Sequence, residues 1–134
     1  MAVNYVAVLI AAVVTMVVGF AWYSKMLFAD SWMKAAGIDE KKIKEKQKGM
    51  IVTMLIAFIG AVVTNYVLAM FIGYAGASTF IEGSFVGFWV WLGFFATTMM
   101  GVVLWEGRSW KLYFINAGHY LVALLLTGGV IAIM

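Results

Sequence analysis

The stretch SKMLFADSWMKAAGIDEKKIKEKQKG, residues 24–49, holds seven of the chain's nine basic side chains, set against Asp30, Asp39, Glu40 and Glu45. The sequence on either side of it is uncharged: VNYVAVLIAAVVTMVVGFA before and MIVTMLIAFIGAVVTNYVLAMFIG after. Each flanking run has about 20 residues, enough to cross ~30 Å of hydrocarbon at ~1.5 Å per residue. A basic connector between two such runs fixes both the environment and the orientation of the chain.

Working outward, two further apolar runs appear. The expected spans are about 3–23, 50–73, 84–104 and 112–133. Residues 105–111 carry Arg108 and Lys111 against Glu106, whereas residues 74–83 carry only Glu82. Basic connectors therefore alternate with a non-basic one. The positive-inside rule puts 24–49 and 105–111 in the cytoplasm and both termini outside the cell (inner) membrane. The first apolar run is longer than the apolar core of a secretory leader and has no basic residue before it, so a retained span is expected. Trp22, Trp32, Trp105 and Trp110, with Tyr23 and Tyr113, gather at the lysine-bearing boundary as interface anchors; Tyr5, Tyr74 and Phe80 mark the other.

Composition agrees. The 134 residues are 66% hydrophobic and 11% charged, against about a quarter charged in soluble domains. The expected fold is all-α: a polytopic membrane protein, residues 1–134 forming one four-helix transmembrane domain, with a short amphipathic helical loop between helices 1 and 2. Within that loop Asp30 or Ser31 can cap a short helix ended by Gly37, and Asp39 can cap a second that runs on into the second span. With no cysteine, disulfides and thiolate chemistry are excluded. The basic residues lie beside the membrane, which points to lipid headgroups and not to nucleic acid.

Small residues recur every four positions on each span, the pattern that lets helices approach closely in lipid. The first span has Ala7, Ala11, Thr15 and Gly19. The second has the longest stripe, Thr53, Ala57, Ala61, Asn65, Ala69 and Gly73. The third has Gly93, Thr97 and Gly101, and the fourth Ala123 and Thr127. A stripe with that spacing drifts ~40° per step around its helix, so the long stripe of the second span predicts a central helix with several neighbours.

Polar residues in the spans are the remaining candidates. Thr15 and Thr97 can bond across helices or to their own backbone carbonyls. Asn65 and His119 lie at different depths, which argues against one compact site joining them. A cluster of His119, Asn116, Thr97, Thr15 and Tyr23, facing the lysine-bearing side, is geometrically possible. His119 has two readings: a neutral ring bonded across helices, or a group that contacts a ligand or relays a proton. A single histidine without acidic neighbours supplies too few ligands for a metal, so no metal or cofactor is expected. The two hairpins also share a faint echo, Asn65-Tyr66-Val67-Leu68-Ala69 against His119-Tyr120-Leu121-Val122-Ala123, which predicts two parallel repeats about an axis along the membrane normal.

The segment Gly19-x2-Trp22-Tyr23-Ser24-x2-Leu27-Phe28-x3-Trp32 resembles the opening motif of domain-of-unknown-function family 1761. Asn4 and Asn116-x-Gly118 are consistent with the same pattern. The resemblance spans nearly the whole chain and implies a small, mainly bacterial four-helix membrane protein. It brings no activity and no catalytic residue.

For function, the uncharged spans and small-residue stripes favour a structural, interaction or lipid-contacting membrane subunit, in a homo-oligomer of which a dimer is the simplest. The alternative is a small homo-oligomeric transporter or channel that uses the polar cluster around His119. An enzyme is not expected: paired carboxylates and nucleophile–base pairs are missing from the sequence, and Glu82 and Glu106 fall on opposite sides of the membrane.

Overall fold

The computed structural model describes residues 2–134, and its regular elements are helical. The helices are α1 (Tyr5–Trp22), α2 (Ala29–Ala36), α3 (Glu40–Gln47), α4 (Met50–Ala75), α5 (Phe80–Val90), α6 (Gly101–Leu104) and α7 (Trp110–Ile133). Between α5 and α6 the chain stays helical but changes pitch, through a π segment at Trp91–Ala96 and a 3₁₀ turn at Thr98–Met100. Four stretches are long and apolar enough to cross a membrane: Tyr5–Trp22, Met50–Ala75, Phe80–Leu104 and Trp110–Ile133.

Capping explains most of the boundaries. The backbone N–H of Ala7 donates to the Asn4 side chain at 3.2 Å, and that of Lys42 to Asp39 at 2.8 Å. These side-chain oxygens satisfy amides that have no carbonyl partner in a helix's first turn. At the third span, Thr79 and Glu82 form a reciprocal capping box. The helix therefore begins at Phe80, four residues before the expected start.

Two expectations for the loop are corrected. Helix α2 begins after Phe28 with no side-chain cap, so Asp30 lies inside its first turn; Gly37 does end the helix, at φ 69°. Helix α3 does not run into α4. Gly49 adopts φ −106° and ψ 18°, off the helical values, and a turn separates the two.

The central helix is α7. Half of its spanning window is buried, against 28% for α4, 22% for α1 and 11% for the third span. The long stripe on α4 packs only in part: Ala61 and Asn65 are buried while Ala57 and Gly73 are exposed. Helix α4 does reach α1, α5 and α7, but α7 takes the middle because α5 can lie almost directly on its backbone. A Cβ at Gly83 or Gly87 would overlap the backbone of Gly128 or Leu124, and one at Gly129 would enter the Phe80 ring. The tightest crossing in the molecule is thus a glycine-to-glycine contact between α5 and α7. The core spreads from it through Leu68, Ile72, Leu124 and Ile131.

The π segment is tied down by α7. Met100 N–H turns to Thr97 O, and the Tyr113 hydroxyl donates to Ala96 O. That carbonyl would have served Met100 in a regular helix. Trp91 Nε1 donates to Ala117 O at 2.8 Å, so the irregular turn is held from both ends.

Candidate functional site

The two sequence pieces with the strongest patterning meet at the lysine-bearing end of α1. Trp22 Nε1 donates to Ile115 O at 2.8 Å. The Trp22 ring lies on Gly118, where a Cβ would come within 3.0 Å of it. Tyr23 Oη donates to Asn116 Oδ1 at 2.6 Å. Phe28 packs at a tilt against Trp22 with ring centroids 4.6 Å apart, and Trp32 meets Tyr23 edge-on at 5.7 Å. Trp22 and Trp32 are therefore packing residues as much as interface residues. Trp105 and Trp110 stay exposed at 86% and 47%, as headgroup-level rings would be.

Directly above this aromatic knot lies a cavity of about 590 Å³ between α1, α4, α7 and the π segment. Its lining is mainly apolar and includes Met16, Phe20, Ala57, Gly60, Phe95 and Leu124. Thr15, Gly19, Tyr23 and His119 complete the α1 and α7 sides. Phe20, Ala57 and Gly60 are exposed, so the cavity opens sideways, where the bilayer would be. Met16 and Phe20 also border a shallower apolar groove between α1 and α4 on the outer surface.

His119 forms part of the wall. Its ring centroid is 5.4 Å from that of Tyr23 and 4.8 Å from that of Tyr120. Neither ring nitrogen has a hydrogen-bond partner among the described residues, and both are covered. Nε2 faces Gly19, where a Cβ would stand 3.3 Å away. The ring thus borders the cavity while its nitrogens are covered by packed surroundings. Covering polar atoms without partners is unfavourable, so such a group is readily recruited by a polar contact.

Of the expected cluster, the structure brings together His119, Tyr23 and Thr15 on one cavity, with Asn116 bonded behind Tyr23. Thr97 is not with them. It is exposed, and its hydroxyl donates to Gly93 O four residues back. Gly93 is exposed and Gly101 half-buried, so this stripe faces away from the bundle. Position 93 is six residues beyond Gly87 and inside the π segment, well around the helix from the face that meets α7.

Among the packing candidates, Ala7, Ala11, Ala61 and Asn65 are buried, and Gly19 is half-buried under His119. Ala57 is exposed and lines the cavity. Asn65 Nδ2 donates to the Thr15 hydroxyl at 3.0 Å and to Ala61 O at 2.9 Å. Thr15 in turn donates to Ala11 O. Asn65 and His119 therefore contact α1 one turn apart, at Thr15 and Gly19. The echo between hairpins does not carry into packing: Asn65 and His119 both face α1, where a parallel repeat would turn His119 to the third span. Gly83, Gly87, Gly60 and Phe95 are the important positions that sequence reasoning passed over. A spacing of four between Gly83 and Gly87, just after a Thr79-x2-Glu82 cap, was the available signal for the first two.

Among the described residues no three His, Asp or Glu side chains gather in a group able to hold a metal. Glu82 and Glu106 lie at opposite ends of the third span.

Four apolar spans, three of them packed around α7, with short helices at one end, define a multi-pass helical membrane protein. A family model described as "Protein of unknown function (DUF1761)" matches residues 6–132. The chain belongs to that family. No curated protein and no solved structure matches it.

Proposed function

We propose that this is a lipid-contacting membrane protein whose lateral cavity takes up a lipophilic molecule, such as an acyl chain or a small ring system, from the surrounding bilayer. The observation that carries this reading is the cavity itself. At about 590 Å³ it falls within the ~300–1,000 Å³ range of small-molecule sites. Its mouth is on the face that lipid would cover, and His119 supplies an imidazole to its wall beside the phenols of Tyr23 and Tyr120. The reading is non-enzymatic: the site offers apolar shape with a few polar groups, Thr15, Tyr23, His119 and Tyr120, and no carboxylate among them. The lysine-bearing end is assigned to the cytoplasm on the positive-inside rule.

A pyrene-labelled fatty acid in uncharged micelles tests it. Saturable binding to the wild type is expected, and Gly60→Leu is expected to weaken it at least tenfold. A Cβ at Gly60 has nothing within 4 Å, so the larger side chain can enter the cavity without breaking the fold. Equal, non-saturable uptake by both proteins would remove the proposal.

One observation favours a second reading, transport by a homodimer. Tyr23 lines the cavity, and its bond partner Asn116 lines a separate polar pocket at the lysine-bearing end. The bonded pair thus stands between the two pockets, each partner bordering one. The buried block of Ala7, Val8, Ala11 and Ala12 on the other side of the cavity favours binding over passage. Vesicle flux that exceeds background and falls in His119→Ala would favour transport.

A further inference from the structure

The polar pocket behind Asn116 has a composition of its own. It measures about 610 Å³ and lies between the α2–α3 connection and the loop before α7. Lys42 and Lys46 enter it from α3, where a spacing of four puts them on one face. Arg108 enters from the α6–α7 loop, and its Nη1 donates to Ala36 O at 3.4 Å, which holds the two loops together. Glu106 is the one carboxylate in its wall, so three basic side chains face one acid across the lining. Trp32 and Leu112 give the pocket an apolar side, and Asn116 gives it an uncharged polar group. A wall with this excess of positive charge attracts an anion. The spans place this pocket where a bilayer's headgroups would lie.

We propose that this pocket binds the phosphate of an anionic phospholipid headgroup. Arg108 supplies the planar fork suited to phosphate oxygens, Lys42 and Lys46 supply point charges, and Asn116 reaches a neutral oxygen of the headgroup. Trp32 and Leu112 border the start of the acyl chains. The site uses none of the residues that line the lateral cavity, so it stands or falls independently of the proposed function.

Native mass spectrometry of the full chain from uncharged micelles tests it, with dioleoyl phosphatidylglycerol, dioleoyl phosphatidylcholine and inorganic phosphate as probes. Wild type is expected to bind the anionic lipid in preference to phosphatidylcholine, and millimolar phosphate to compete only weakly. Lys42→Gln with Arg108→Gln is expected to weaken binding about 25-fold, roughly fivefold per cation. Lys41→Gln with Lys44→Gln removes the same charge from outside the pocket and should change it less than threefold. Glu106→Gln should tighten binding, which a purely structural role for these residues would not do. Equal losses in the two double variants, or equal binding of both lipids, would overturn the pocket. Phosphate competing at the lipid's own affinity would overturn the lipid as its occupant.

Discussion

Tyr23 and Asn116, 93 positions apart in the chain, are joined by a hydrogen bond of 2.6 Å that fastens the end of α1 to α7. The same tyrosine walls the lateral cavity and the asparagine walls the cationic pocket. A double-mutant cycle of Tyr23→Phe and Asn116→Ala is expected to give a coupling of about 0.6 kcal/mol, the usual size for an interhelical bond in a membrane. Thermal unfolding in detergent measures it. Strict additivity would show that the bond contributes nothing.

The glycine crossing predicts an asymmetric response to added methyl groups. Gly83→Ala and Gly87→Ala should each destabilise by about 1–3 kcal/mol, because the new Cβ meets backbone that cannot move aside. Gly93→Ala has open space around it and should be neutral or slightly stabilising through helix propensity. The ranking is readable from melting temperatures.

The polar residues of the spans separate in the same way. Thr97→Val removes only a bond to its own helix, so a change within about 0.5 kcal/mol is expected. Asn65→Leu loses bonds to Thr15 and to Ala61 O at a site 1% exposed, and should cost about 1–3 kcal/mol. Chemical or thermal denaturation of the two variants distinguishes them.

These contrasts show what the sequence could and could not convey. Four spans were legible because twenty apolar residues between charged connectors have one physical solution. The Asp39 cap was legible because its chemistry is local. The choice of α7 as centre was not: all four spans carry small-residue stripes, and a stripe does not name its partner. Gly93-x3-Thr97-x3-Gly101 looks equivalent to Thr15-x3-Gly19, yet one faces outward and the other lines the cavity. The π segment left no mark in periodicity at all. Among the site residues, Tyr23, Asn116, His119 and Thr15 were identifiable as polar groups on converging spans. The cavity beside them depends on gaps between apolar side chains such as Phe20 and Phe95, which no pattern of residue types encodes.

Trp22 offers a further test of the knot below the cavity. Trp22→Phe keeps a ring over Gly118 but removes the donor to Ile115 O, and should cost about 1 kcal/mol. Gly118→Leu should cost more, because it displaces the ring itself. Melting temperatures and tryptophan emission of the two variants report the difference.

The lateral cavity is probed most directly by a diazirine-bearing fatty acid, photolysed with the protein in lipid nanodiscs and mapped by peptide sequencing. The account predicts that labelling concentrates on peptides containing Met16, Phe20 and His119, and that Gly60→Leu removes it from the His119 peptide. Labelling spread evenly over the exposed faces of all four spans, with the His119 peptide no more marked in wild type than in Gly60→Leu, would contradict it.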